Sequence, residues 1–145
     1  ELPQELTESR AGAFVSIKKY GKLRGCIGTF VPAQQSLAEE IFYNAVSAAA
    51  HDGRFEPIEE GELNRLVYSV DVLSVPEPIA SVAQLDPKTY GVIVKSLTDN
   101  RRGLLLPDLA GIDTAEEQIA IAREKARIQP KEAIALARFT VKRHR

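Results

Sequence analysis

Hydrophobic and polar residues alternate in two rhythms along this chain. A period of two, the mark of a strand with one buried face, runs through Ala13–Lys19 (AFVSIKK) and most clearly through residues 65–74 (RLVYSVDVLS). In the latter, Leu66, Tyr68, Val70 and Val72 share one face, and Val67, Ser69, Asp71 and Leu73 the other. Residues 23–30 read as a strand that the Tyr20-Gly21-Lys22 turn folds back on the first, predicting an antiparallel hairpin. A second hairpin joins 91–97 to 102–106 around Thr98-Asp99-Asn100, and 136–142 is a last strand with Phe139 and Val141 on one face. The helical period appears twice. Ser36-Leu37-Ala38-Glu39 is a capping box that opens a helix to about Ala50, with Leu37, Ile41, Ala45 and Ala48 inward. It stops at His51-Asp52-Gly53, where Gly53 suits a left-handed end. Thr114-Ala115-Glu116-Glu117 opens a second helix to about Ala126, with Ile119, Ala122 and Ala126 inward. Residues 1–12 read as a loose lead-in, and Val75-Pro76-Glu77-Pro78 ends the long strand. Short helical turns are expected over 59–63 and from Pro130.

Strands that come in neighbouring hairpin pairs, with helices inserted between them, predict an α+β fold with a largely antiparallel sheet, not repeated βαβ units. The 145 residues amount to one domain, long enough to bury a core without staples, and the Pro-rich breaks near 75–78 and 85–88 predict a smaller lobe around 75–110. A net charge of −1 gives no field to recruit nucleic acid or an anionic membrane. No apolar run approaches the ~20 residues that a membrane span needs. A single cysteine makes no internal disulfide, which fits a reducing, cytoplasmic compartment. Met is absent, position 1 included, so further residues are expected ahead of Glu1.

The densest chemistry lies in Leu23-Arg24-Gly25-Cys26-Ile27-Gly28, which holds that one cysteine. On a regular strand Arg24, Cys26 and Gly28 share a face, with Arg24 and Cys26 roughly 6–7 Å apart at Cα. Cys26 is then either a nucleophile or substrate-holding thiol helped by the Arg24 guanidinium, or a small buried hydrophobe. Arg24 is either a clamp for a carboxylate or phosphate, or half of a salt bridge for which Asp71 is a candidate. Gly25 and Gly28 leave backbone uncovered for a ligand to approach. His51 is a general base for Cys26 if its loop folds back, or a helix-end residue that complements the dipole. Arg54 binds a ligand or bridges loop to sheet, with Phe55 plugging the core beside it. Asp71, the one acid within the strongest strand, needs a partner, solvent or a ligand. No spacing matches a structural zinc site, and no cofactor motif of the GxGxxG, P-loop or GxSxG kind is present, so neither metal nor cofactor is expected. Lys142-Arg143-His144-Arg145 reads as a solvated end, not a nucleic-acid arm.

Five ordered blocks together carry a resemblance. They are Gly12-Ala13-Phe14-Val15, the Leu23–Gly28 hexapeptide, Ala48-Ala49-Ala50-His51-Asp52-Gly53-Arg54-Phe55, Ser69-Val70-Asp71-Val72-Leu73-Ser74 with Pro76-Glu77-Pro78-Ile79, and Arg102-Gly103-Leu104-Leu105-Leu106-Pro107. From about Gly12 onward the chain resembles the AMMECR domain family, whose hallmark is the hexapeptide. The resemblance implies an α+β fold of one larger and one smaller lobe, with the hallmark strand near the cleft between them. It also implies further helical sequence ahead of the matched region. In prokaryotes it implies association with Memo-like and radical SAM proteins. It brings no activity. One departure stands out: members often carry an Asp-Pro-Arg-Phe-like segment where this chain has Asp52-Gly53-Arg54-Phe55, which would loosen the loop presenting Arg54. Two functions are therefore expected. One is a binding or adaptor module whose cleft, centred on Arg24 and Cys26, takes a small molecule or a protein partner. The other is an enzyme in which Cys26 attacks, Arg24 orients an anion, and His51 or Asp71 handles protons. A structural subunit is the third reading, and a homodimer through an edge strand or helix face stays open.

Overall fold

In the computed structural model, which describes residues 2–145, the first predicted hairpin is present. Strand β1 (Ala13–Lys19) pairs antiparallel with β2 (Lys22–Gly28). The two turn residues, Tyr20 and Gly21, both take positive φ (53° and 78°), as a two-residue hairpin turn prefers. β1 also pairs antiparallel with β3 (Leu66–Leu73), and β8 (Val141–His144) completes a sheet of order β2-β1-β3-β8. Helix α2 (Leu37–Ala50) begins at the expected cap, where Ser36 Oγ accepts the Glu39 N–H. Its Ala48 packs with Val15 and Ile17 at the centre of the core, ringed by Ile27, Ile41, Ala45 and Val70. The contact is close because Gly25 has no side chain: a Cβ there would stand 2.2 Å from the Ala48 carbonyl oxygen.

The buried stripe of α2 differs from the periodic expectation. Leu37 and Ala48 are buried as predicted, but Ile41 and Ala45 are half-buried. The other fully buried positions are Glu40 and Asn44, only 1% and 6% exposed. Both are satisfied, so their burial is tolerable. Glu40 accepts the N–H groups of Ala33 (2.8 Å) and Gln34 (2.9 Å) and the Thr29 hydroxyl (2.8 Å). Asn44 Nδ2 donates to the Ala13 carbonyl at 2.9 Å and to Thr29 Oγ1 at 3.3 Å. Two polar side chains thereby tie the 29–34 loop and the start of β1 to the helix.

Residues 2–73 with 142–145 form one compact unit and 74–141 another. The second contains an antiparallel sheet of order β4-β7-β5-β6, from β4 (Glu77–Ile79), β5 (Gly91–Ser96), β6 (Arg102–Leu105) and β7 (Ile134–Phe139). Its core gathers Leu85, Val92, Val94, Leu105, Ile128 and Ala122, the last on α3 (Ala115–Lys125). Here the same device recurs on an edge strand: a Cβ on Gly103 would meet the Ala122 carbonyl oxygen at 2.0 Å. The lobe expected to end near 110 reaches Val141, because β7 lies between β4 and β5 in this sheet.

The architecture is α+β with antiparallel sheets, as predicted; four local expectations change. The lead-in contains the short helix α1 (Gln4–Glu8), opened by Pro3, whose carbonyl accepts the Leu6 N–H. The Pro-rich break after β3 supplies β4, where Pro78 is tolerated because an edge strand needs no N–H on its open side. The last predicted strand is two strands parted at Thr140. Gly53 is not among the glycines with positive φ; α2 ends instead at His51, whose N–H bonds the Ser47 carbonyl. No helix of the described residues is long and apolar enough to cross a membrane.

Candidate functional site

Cys26 lies on β2, an edge strand, directly across from Ser16, which in turn faces Ser69 on β3. Alternation puts these three side chains in one row on the sheet face opposite the α2 core. The Cys26 Sγ and Ser16 Oγ are 3.4 Å apart. The next row carries Gly28, Phe14 and Asp71. Both polar backbone groups of Cys26 point off the open edge of the sheet. There the Cys26 N–H donates to Asp52 Oδ2 at 3.0 Å, and Arg54 Nη2 donates to the Cys26 carbonyl at 3.3 Å. Asp52 and Arg54 thus satisfy the strand edge at the cysteine as a neighbouring strand would.

These two residues are bound to each other as well. Arg54 Nε reaches Asp52 Oδ1 at 3.0 Å and Nη2 reaches Oδ2 at 2.7 Å, and the Arg54 N–H adds a third bond to Oδ1 at 3.1 Å. The Asp52 carboxylate is buried, while the Arg54 side chain remains 59% exposed. The Arg54 hydrogen bond holds the Asp52 carboxyl well below the usual carboxylate range, against burial and with help from the N–H groups of Cys26 and Arg54. Asp52 raises the Arg54 guanidinium in return, and the Cys26 thiol adds a smaller electrostatic contribution. The guanidinium also lies 5.3 Å from the centre of the half-buried Phe55 ring. With Arg54 fixed this way, the Gly53 turn does not leave it loose.

Arg24 sits elsewhere. Ile17 pairs with Gly25 but Lys18 pairs with Leu23, so Arg24 is an extra residue in a β-bulge and the expected alternation with Cys26 breaks there. Its guanidinium forks onto Glu62 (3.0 and 3.1 Å) and donates to the carbonyls of Glu56 (2.6 Å) and Pro57 (3.3 Å). Lys19 joins the same carboxylate at 2.9 Å. The predicted Arg24–Asp71 pair is therefore replaced by Arg24–Glu62, and Asp71 pairs with Arg143 on β8 at 2.7 and 3.2 Å. The space expected over the two glycines is filled. Gly25 lies under the Ala48 carbonyl, and a Cβ on Gly28 would stand 2.2 Å from the Phe14 ring. His51 is exposed at the end of α2, and among the described residues its imidazole makes no hydrogen bond.

Of the predicted site residues, Cys26 and Arg54 come together. Arg24, Gly25 and Gly28 flank them in packing and bracing roles, and Asp71 lies on the same sheet face two strands away. Sequence reasoning missed Asp52, Ser16 and Glu62. The Asp-x-Arg spacing in a turn straight after a helix was a usable signal for Asp52. Glu62 left none, being 38 residues from Arg24. No group of three or more metal-capable side chains occurs among the described residues.

The brace at Glu62 predicts an acid limb in stability. Arg24, then the Glu59 N–H and Lys19, hold this carboxyl at about 2 against an ordinary 4.5. A carboxyl depressed by folding stabilises fully above its unfolded pKa and loses that contribution as pH falls through the folded one. Urea midpoints are expected to drop between about pH 4.5 and about pH 2. Glu62→Gln is expected to lower the midpoint at neutral pH and flatten that drop; an unchanged limb in this variant would show the brace contributes nothing.

Four similarities bear on this geometry. The AMMECR1 family model matches residues 1–144. A protein of Thermotoga maritima is 51% identical across 99% of this chain and 83% of its own length. One of Clostridium acetobutylicum is 47% identical across the whole of this chain, which spans only 31% of that relative. Among solved structures, the crystal structure of an uncharacterised Pyrococcus horikoshii protein superposes with a TM-score of 0.86 at 32% identity, over 97% of this chain and 75% of that one.

Proposed function

The chain belongs to the AMMECR1 family, and on that premise we propose that its first unit is a binding module that presents Cys26 and Arg54 to a small molecule or a protein partner. The observation that carries this is the company the thiol keeps. Cys26 Sγ meets a serine hydroxyl, and no imidazole or carboxylate of the described residues hydrogen-bonds to it. A nucleophilic thiol relies on a base to take its proton, and a serine hydroxyl takes none at neutral pH. Arg54, by contrast, is half-free and aimed by a buried carboxylate, the arrangement of a preset anchor for an anionic group. The partners that the resemblance implies are Memo-like and radical SAM proteins, with the cytoplasm as the place of action. An enzyme with Cys26 as nucleophile is the second reading, favoured by the Arg54 charge beside the thiol.

Co-purification with a co-expressed Memo-like protein separates the two. The complex is expected to survive Cys26→Ser and to be lost in Arg54→Gln, with urea unfolding confirming that both variants fold. Loss with Cys26→Ser alone would favour thiol chemistry. Absence of a complex with the unmodified chain would overturn the partner, and indifference to both substitutions would overturn the site.

A further inference from the structure

The four strands of the first unit's sheet carry a single acid, Asp71, and Arg143 holds that carboxylate at 2.7 and 3.2 Å. The sheet face opposite the α2 core therefore has no unpaired negative charge on its strands. The carboxylates that border β2 are also engaged, Glu62 by Arg24 and Lys19, and Asp52 by Arg54. On this face Cys26, Ser16 and Ser69 form a middle row. Gly28, Phe14 and Asp71 lie to one side of it, and Leu23, Lys18 and Val67 to the other. Among the described residues the half-buried Ser69 hydroxyl makes no hydrogen bond, and the Ser16 hydroxyl meets only Cys26 Sγ, at 3.4 Å. Lys18 likewise has neither hydrogen bond nor ion pair. Its cross-strand neighbours, Leu23 and Val67, are apolar, so the serine row is the polar company of its ammonium on this face.

We propose that this face binds the oxyanion end of a small molecule, a phosphoryl or carboxylate group. The Ser16 and Ser69 hydroxyls donate to it and the Lys18 ammonium supplies the opposite charge. Ser16 and Ser69 are direct partners on paired strands, where Cβ atoms stand about 4.5–5.5 Å apart, so both hydroxyls reach oxygens of one group. The sign follows from the face itself: Lys18 is its unpaired cation, and its one strand acid is already neutralised by Arg143. This names a ligand group for the proposed binding module, yet uses none of the contacts of its Arg54 anchor, so either can fail without the other.

Inorganic phosphate titrated into the full chain at constant ionic strength, followed by nitrogen–proton correlation spectra, tests this. Acetate is the carboxylate arm, and whichever anion saturates at the lower concentration identifies the group. Saturable shifts are expected at Ser16, Lys18 and Ser69. Lys18→Gln is expected to weaken binding by about tenfold and Ser69→Ala severalfold, with urea unfolding confirming that both variants fold. Lys22→Gln removes the same charge from the opposite face, since Lys22 pairs with Lys19, and is expected to change nothing. The bound anion is also expected to slow iodoacetamide labelling of Cys26, whose sulfur neighbours Ser16 Oγ, and to lose that protection in Lys18→Gln. Shifts that chloride reproduces, that saturate for neither anion, or that Lys18→Gln and Lys22→Gln weaken equally would each overturn the proposal.

Discussion

Gly25→Ala is expected to destabilise the first unit by about 3 kcal/mol or more, the upper part of the range for overpacking. The new methyl would stand 2.2 Å from the Ala48 carbonyl oxygen. Its neighbour is helix backbone, not the yielding end of a side chain, so α2 itself must move. That movement opens the contacts of Ala48 with Val15 and Ile17 at the centre of the core. Gly53→Ala is the control: nothing lies within 4 Å of a Cβ there, and an effect within about 0.5 kcal/mol is expected. Urea unfolding of the two variants side by side decides the matter. Equal midpoints would mean that Gly25 does not set the helix-to-strand distance.

Asp52→Ala is expected to cost about 2 kcal/mol, because the Cys26 N–H and the Arg54 guanidinium lose a buried acceptor together. The ion pair as such contributes the smaller part, since Arg54 is largely solvated and solvent screens it. Most of the cost comes from the orphaned N–H at the strand edge. Asp52→Asn, which keeps one oxygen in place, is expected to cost less. Hydrogen exchange at the Cys26 amide gives a local reading: it is expected to speed up in Asp52→Ala far more than at β1 amides, which keep their ladder bonds. Uniform acceleration along both strands would instead mean that Asp52 acts only through global stability. If the first unit binds through Arg54, the same substitution weakens that binding, because the guanidinium loses the carboxylate that aims it.

Arg24 and Arg54 differ in how far their placement follows from local sequence. Arg54 follows Asp52 in a tight turn, so its direction is set within three residues and the loop was legible as a place where a cation is presented. Arg24 falls on the Cys26 face only in a regular strand. A bulge turned it to Glu62, a contact 38 residues away that no local pattern announces. The glycines of the hexapeptide were legible as places of close approach, but not what approaches. The structure fills them with the Ala48 carbonyl and the Phe14 ring. In α2, counting apolar residues every third or fourth position found Leu37 and Ala48 but passed over Glu40 and Asn44, whose burial depends on donors in the 29–34 loop and an acceptor at Ala13.

The sequence by itself determined the elements: both hairpins, the two capped helices and the α+β class, because turn chemistry, capping and side-chain periodicity act over a few residues. It also marked Cys26 and Arg54 as candidates, but set Arg24, not Arg54, beside the thiol. The tertiary structure alone decided the partners. Asp52 at the strand edge, Glu62 under Arg24, Arg143 on Asp71 and β7 between β4 and β5 all join segments distant in the chain. Such pairings depend on strand register and on which charges are buried together, and both are settled only when the whole chain packs.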